Sequence, residues 1–260
     1  MKFMKHLKRC IEGFYMSLGM FSAIPLPFHI WNEKHTSVMI IAFPLVGLIV
    51  GAVWWLASVL LFALDMPPML TAAVLALAPF FIAGFIHLDG YMDTSDALLS
   101  YRSAEEKMRI LKDPNVGAFA VVMLGILFVL QFAAMYTIAE RREYLALIIA
   151  ITVVSRCCSA LFIFSLPHMP GSNYAPLLTQ GISKGHKVFV VVTAAAAFVF
   201  SFLYAGYVGV IVLAVVVIGC SLGILKAYRG FKGISGDLLG FALVIGELCG
   251  LIALAVIQGM

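Results

Sequence analysis

Runs of uncharged, mostly apolar residues fill most of the chain, and short polar segments separate them. The uncharged stretches are 37–64, 66–88, 114–139, 157–183 and 188–225, and two further apolar stretches are each interrupted by a single charge. A membrane helix needs about 20 predominantly apolar residues. The pattern therefore predicts spans at about 38–62, 68–88, 117–138, 144–165, 187–204, 207–225 and 238–258. The stretch 188–225 would reach about 57 Å as one helix at about 1.5 Å per residue, so two spans turning at Tyr204-Ala205-Gly206-Tyr207 fit it better. Residues 11–30, which include Pro25 and Pro27, look like an interfacial or re-entrant segment. The expected fold is all-α: a polytopic integral membrane helix bundle of about seven transmembrane helices, with 1–260 as a single catalytic domain.

Composition agrees with that pattern. Of 260 residues, 63% are hydrophobic and 12% charged, against about 45–50% and about 25% in a soluble domain. The five cysteines include no CxxC and lie mostly in apolar runs, so they read as buried free thiols rather than a disulfide framework. The net charge of +4 is spread over several short clusters, which is a topology signal and not a nucleic-acid footprint. The basic start MKFMKHLKRC is not followed by a clean apolar run ending in a cleavage site, so it does not read as a signal peptide.

Sidedness follows from Lys and Arg, which concentrate on the cytoplasmic side of membrane proteins. With seven spans, one side holds Lys2, Lys5, Lys8, Arg9, Lys34, Arg102, Lys107, Arg109, Lys112, Lys184, Lys187, Lys226, Arg229 and Lys232. The other side holds only Arg141 and Arg142, and Arg156 lies within a span. The basic side also carries the longer polar segments 89–115, 166–186 and 226–237. A transporter would place polar groups mid-membrane on related halves. The one-sided polarity instead predicts a multi-pass membrane enzyme with its active site on the cytoplasmic face.

The richest polar stretch, 87–119, begins HLDGYMDTSDALLS. Asp89, Asp93 and Asp96 fall at 0°, 40° and −20° on a helix turning about 100° per residue, within one 60° arc. Three such carboxylates repel one another unless a cation lies between them. Oxygen ligands alone suit a hard ion such as Mg²⁺, which takes a few carboxylates and completes its shell with substrate phosphates. An acidic N-capping turn is the plainer reading, but a cap would need one aspartate. His87 points about 160° from the cluster and reads as packed or interfacial. Glu105 and Arg109 form an ordinary surface pair. Arg102, Arg109, Lys112 and Asp113 follow closely, and carboxylates with nearby cations form a toolkit for a diphosphate.

Two charges lie deep. Arg156 and Glu247 sit about mid-span, where a charge costs ~2.5–3.5 kcal/mol or more. They either pair with each other or face a polar cavity, and Arg156 is expected to bind a substrate anion. In GISGDLLG (233–240), Gly236 and Gly240 allow close helix packing, and Asp237 either caps a helix or joins the metal site.

These residues resemble one family. HLDGYMDTSDALLS followed by EEKMRILKDPNVGAFAV resembles the signature of cobalamin synthase, the adenosylcobinamide-GDP ribazoletransferase family. FSAIPLP (21–27), FPLVGLIVG (43–51), Ser155-Arg156 and GISGDLLGFALVIGE (233–247) resemble further family elements in the same order. Tyr91-Met92 and Phe241 stand where smaller residues are usual. The resemblance implies that the 3′-hydroxyl of α-ribazole, or of its 5′-phosphate, attacks the cobinamide-linked phosphorus of adenosylcobinamide-GDP with release of GMP, using Mg²⁺. On that footing Asp89, Asp93 and Asp96 are the expected metal ligands. Asp93, Asp96 or Asp113 accept the proton, and Arg102, Lys112, Arg156 and Asp237 bind substrate. The alternatives are a CDP-alcohol phosphotransferase-type lipid enzyme, whose pattern expects Ala-Arg where Tyr91-Met92 stands, and a corrinoid transporter. The expected partners are the two substrates and the lipid bilayer, with no nucleic acid. Glycine-spaced helices leave room for a homo-oligomer.

Overall fold

The computed structural model describes residues 2–169, 178–179 and 181–260, so part of the polar segment 166–186 lies outside the described residues. Ten α-helices are present among them: α1 (Lys2–Phe21), α2 (Thr36–Ala63), α3 (Pro68–Ala83), α4 (Ile86–Leu99), α5 (Ala104–Ile110), α6 (Ala118–Arg141), α7 (Leu147–Ile163), α8 (Lys184–Ala205), α9 (Tyr207–Phe231) and α10 (Gly236–Gly259). Each of the seven predicted spans corresponds to a helix. Five of them, α2, α6, α8, α9 and α10, are long and apolar enough to cross a membrane individually. The chain is a multi-pass, all-α membrane protein.

Two predicted spans differ in detail. The span at 68–88 is broken, because Gly84 and Phe85 both adopt left-handed conformations (φ 79° and 64°). Their N–H groups both donate to Phe80 O at 3.0 Å, which closes α3, and α4 leaves at 98° to it. A left-handed non-glycine residue costs roughly 1–2 kcal/mol, so Phe85 is held there by the packing around the bend. The aspartate-bearing segment thus becomes a separate helix lying across the end of a span. The other difference is α7, which has 17 residues. It runs through the bundle interior with nearly every side chain buried, including Thr152, Ser155, Arg156 and Ser159. The doubtful 188–225 stretch divides at Gly206 as expected.

The N-terminal segment is no span. α1 packs against the start of α2 and is pinned by Glu12, whose Oε2 lies 2.7 Å from His35 Nδ1. Leu7 and Ile11 remain exposed along it.

The loops sort to the two ends of the bundle. At one end Ile234 N–H donates to Pro167 O and Met169 N–H to Ile234 O, both at 3.0 Å, α5 packs on α4 and α9, and Lys187 Nζ reaches Ser165 Oγ at 3.5 Å. At the other end Arg142 lies over the Phe62 ring at 4.7 Å, and Gln258 Nε2 donates to Glu143 O at 2.5 Å. The polar end therefore collects the segments after α4, α7 and α9.

Candidate active site

The site is built where α4 crosses the start of α10. Gly90 makes this crossing close: a Cβ there would sit 2.8 Å from Asp237 O and 2.9 Å from its Cα. Ser235, not Asp237, caps α10. Its Oγ accepts from Leu238 N–H at 3.5 Å and is itself 3.3 Å from Asp237 Oδ2. Asp237 is thereby free to face α4, where Asp89 acts electrostatically on both Asp237 and Asp93.

Asp93 is the carboxylate most affected. It lies past the 98° bend, on a helix that is not among the five spans. Burial, then the charges of Asp89, Asp237 and Asp96, push it up to about 6. The like charges that contribute to this rise would be relieved by a cation among them.

Asp96 shares the α4 face but is occupied elsewhere. Its Oδ1 accepts from Phe119 N–H at 3.1 Å and Ala120 N–H at 3.3 Å, so it caps α6 from a neighbouring helix and satisfies two of the orphan donors at that terminus. Gly117 leaves room for it, since a Cβ there would run into the Asp96 carboxylate. Asp237 thus joins Asp89 and Asp96 among the carboxylates acting on Asp93, and Asp96 does so with its Oδ1 already engaged, because helix packing as well as helical phase decides which oxygens are free. Asp96→Ala is expected to lower stability by about 1 kcal/mol, typical of a lost cap, read as a lower thermal midpoint in detergent. Asp96→Asn, which keeps an acceptor oxygen, should recover most of it.

Asp113 stands apart. It accepts from Asn115 N–H at 2.9 Å and Nδ2 at 2.7 Å, and those bonds hold its carboxyl below the usual range. It is exposed and has no part among the charges acting on Asp93, so its expected role as proton acceptor has no support in the geometry. Arg102 and Lys112 are exposed on the segment following α4.

Arg156 is paired within the bundle interior. It is 1% exposed, and its Nη1 lies 2.5 Å from Glu247 Oε1 and 3.0 Å from Thr152 O. Ser155 Oγ donates to the same Glu247 oxygen at 2.7 Å. A guanidinium this deep is already neutralised by a carboxylate. The pairing removes the cost of two isolated charges in the apolar interior.

Among the described residues, no three His, Cys, Asp or Glu side chains stand ready as a metal cage. Mg²⁺ on a diphosphate does not need one, since it usually takes one or two carboxylates and fills its shell from phosphates and water. The hard oxygen donors Asp89 and Asp237, beside Asp93, fit that ion.

A cavity of about 300 Å³ opens beside Asp237, lined by Phe21, Phe43, His87, Ser159, His168 and Asp237 among mostly apolar neighbours. Nothing in the sequence pattern pointed to it. His87, which reads from helical phase as merely packed, lies against the Phe21–Phe43 pair, with ring centroids 6.0 Å from Phe21 and 5.5 Å from Phe43.

A family model described as cobalamin-5-phosphate synthase matches residues 13–255. The chain belongs to the cobalamin-5-phosphate synthase family. An adenosylcobinamide-GDP ribazoletransferase of Clostridium botulinum is 38% identical over 245 residues, covering 94% of this chain and 97% of its own. Proteins of the same name from Clostridium perfringens (36%, covering 96% and 100%) and Geobacillus thermodenitrificans (30%, covering 93% and 94%) also match. No solved structure matches the chain. The α4–α10 crossing described above, with Asp89, Asp93 and Asp237, lies within the matched residues.

Proposed function

We propose that this protein joins adenosylcobinamide-GDP to α-ribazole, or to its 5′-phosphate, and releases GMP at the final step of cobamide assembly. The observation that carries the reading is the convergence of Asp89, Asp93 and Asp237 at the polar end of a chain in this family. The nucleoside hydroxyl oxygen forms a bond to the cobinamide-linked phosphorus, and the bond from that phosphorus to the bridging oxygen breaks. GMP leaves with that oxygen.

Asp93 accepts the hydroxyl proton. Its raised proton affinity sits close to the range in which a general base works best. Asp89 and Asp237 would hold Mg²⁺, whose chemistry when bound is to neutralise the anionic oxygens of the diphosphate. Arg102 and Lys112 add positive charge for the departing GMP, since transfer of this kind depends mainly on positioning and charge neutralisation. The protein is read as lying in the bacterial cytoplasmic membrane; the apolar bundle supports a membrane setting, and the basic residues at the polar end support a cytoplasmic active site.

Purified protein with adenosylcobinamide-GDP, α-ribazole and Mg²⁺ should yield GMP and the complete cobamide in equal amounts. CMP from a CDP-lipid and an alcohol, with no GMP, would overturn the reading, as would corrinoid movement across vesicles without GMP.

A pH profile adds a second check. At limiting Mg²⁺ the rate should fall as pH drops through about 6, where Asp93 takes up its proton. Saturating Mg²⁺ should move that limb to lower pH, because a neighbouring cation favours the carboxylate. An acid limb indifferent to Mg²⁺ would separate the base from the metal site.

A further inference from the structure

The cavity beside Asp237 is not accounted for by the chemistry at the diphosphate. It lies among α1, α2, α4, α7 and α10, and its volume of about 300 Å³ is at the lower end of ligand pockets, which run to about 1,000 Å³. That is room for a bicyclic base but not for a corrin ring. Its walls are mostly apolar, with the flat faces of Phe21, Phe43 and His87 packed together. His87 is only 9% exposed, and its Nε2 is buried with no hydrogen-bond partner among the described residues. A buried polar atom left unpaired is costly, and it calls for a ligand or a functional explanation.

We propose that this cavity receives the base of the nucleoside substrate and that His87 Nε2 donates a hydrogen bond to the base's free ring nitrogen. The proposal rests on the function proposed above. A methylated benzimidazole has apolar edges, flat faces and one unsubstituted nitrogen that can only accept. Those features match mostly apolar walls, aromatic faces and the unpaired His87 Nε2, with His168 Nδ1 a second buried unpaired nitrogen on the same lining. Guanine, the other base in the reaction, carries donors and acceptors around its edge and suits a more polar lining than this mostly apolar one. Position agrees with chemistry. Asp237 both lines the cavity and faces Asp89, so a base in the cavity places its ribose at the carboxylates and its hydroxyl beside Asp93.

The test measures KM for each substrate in His87→Leu and His87→Gln. His87→Leu should raise KM for α-ribazole about tenfold, equivalent to about 1.4 kcal/mol, while KM for adenosylcobinamide-GDP stays within about twofold. His87→Gln keeps an N–H donor and should stay within about threefold of the wild type. An α-riboside of dimethylindole, in which a carbon replaces the free nitrogen, should be used equally well by wild type and His87→Leu. A structural role would instead penalise both nucleosides alike, and that result overturns the proposal. So does a selective rise in KM for adenosylcobinamide-GDP, which would give the cavity to guanine, or an unchanged KM for α-ribazole. If the wild type releases no GMP, the proposed function fails. Equilibrium binding of α-ribazole to wild type and His87→Leu in detergent then judges the cavity by itself: equal binding or none overturns it.

Discussion

Asp93→Asn, supplied with saturating Mg²⁺ and both substrates, is expected to release GMP about 10²–10⁴-fold more slowly than the wild type, the range for loss of a positioned general base. The replacement is nearly isosteric, so the fold should tolerate it. Stability should in fact rise or hold. Asp93's folded-state pKa is raised to about 6, above its ordinary 3.8, so the folded protein binds the proton more tightly than the unfolded chain. Protonation therefore stabilises the fold as pH falls through about 6, and the ionised carboxylate is a burden at neutral pH. The asparagine removes that burden along with the activity. Turnover within a few-fold of the wild type would sink the role given to the cluster, and a large loss of stability would reduce Asp93 to a structural residue.

The largest stability effect belongs to the buried pair. Glu247→Leu should destabilise the protein by about 3–5 kcal/mol, the cost of leaving one partner of a buried ion pair uncompensated. Arg156 is 1% exposed and has no other carboxylate within salt-bridge distance among the described residues. The double variant Arg156→Met with Glu247→Leu should recover most of the loss, because exchanging a whole buried pair for apolar groups is often neutral. Thermal unfolding in detergent reads both. The double variant also decides what Arg156 does: near-normal KM for adenosylcobinamide-GDP fits a structural pair, whereas a stable protein with a greatly raised KM would restore the guanidinium to substrate binding.

Helix phase tells which carboxylates share a face and not how each one is engaged. All three share a face of α4, as the spacing requires. Spacing within one helix, however, says nothing about what packs on that face, and the start of α6 claims Asp96. Asp237 shows the converse. It lies 141 residues beyond Asp96 in the chain, and only the close crossing at Gly90 brings it to the cluster. Glycines in both signature segments were the visible trace of that crossing, yet they do not name which helices meet. Arg156 and Glu247 could each be recognised as too costly to stand alone in a membrane, but their sequence positions left open whether each answered the other.

The membrane character, the span positions within a few residues and the basic end of the bundle were settled by the sequence. These rest on local and additive quantities: apolar length against bilayer thickness, and Lys and Arg counted loop by loop. The family signature was equally local. The break at Gly84–Phe85, the seating of Asp96 on α6, the Arg156–Glu247 pair and the cavity at His87 were decided by tertiary structure alone. Each depends on how helices distant in sequence meet. A carboxylate, a guanidinium or an imidazole takes its role from what that meeting leaves unpaired.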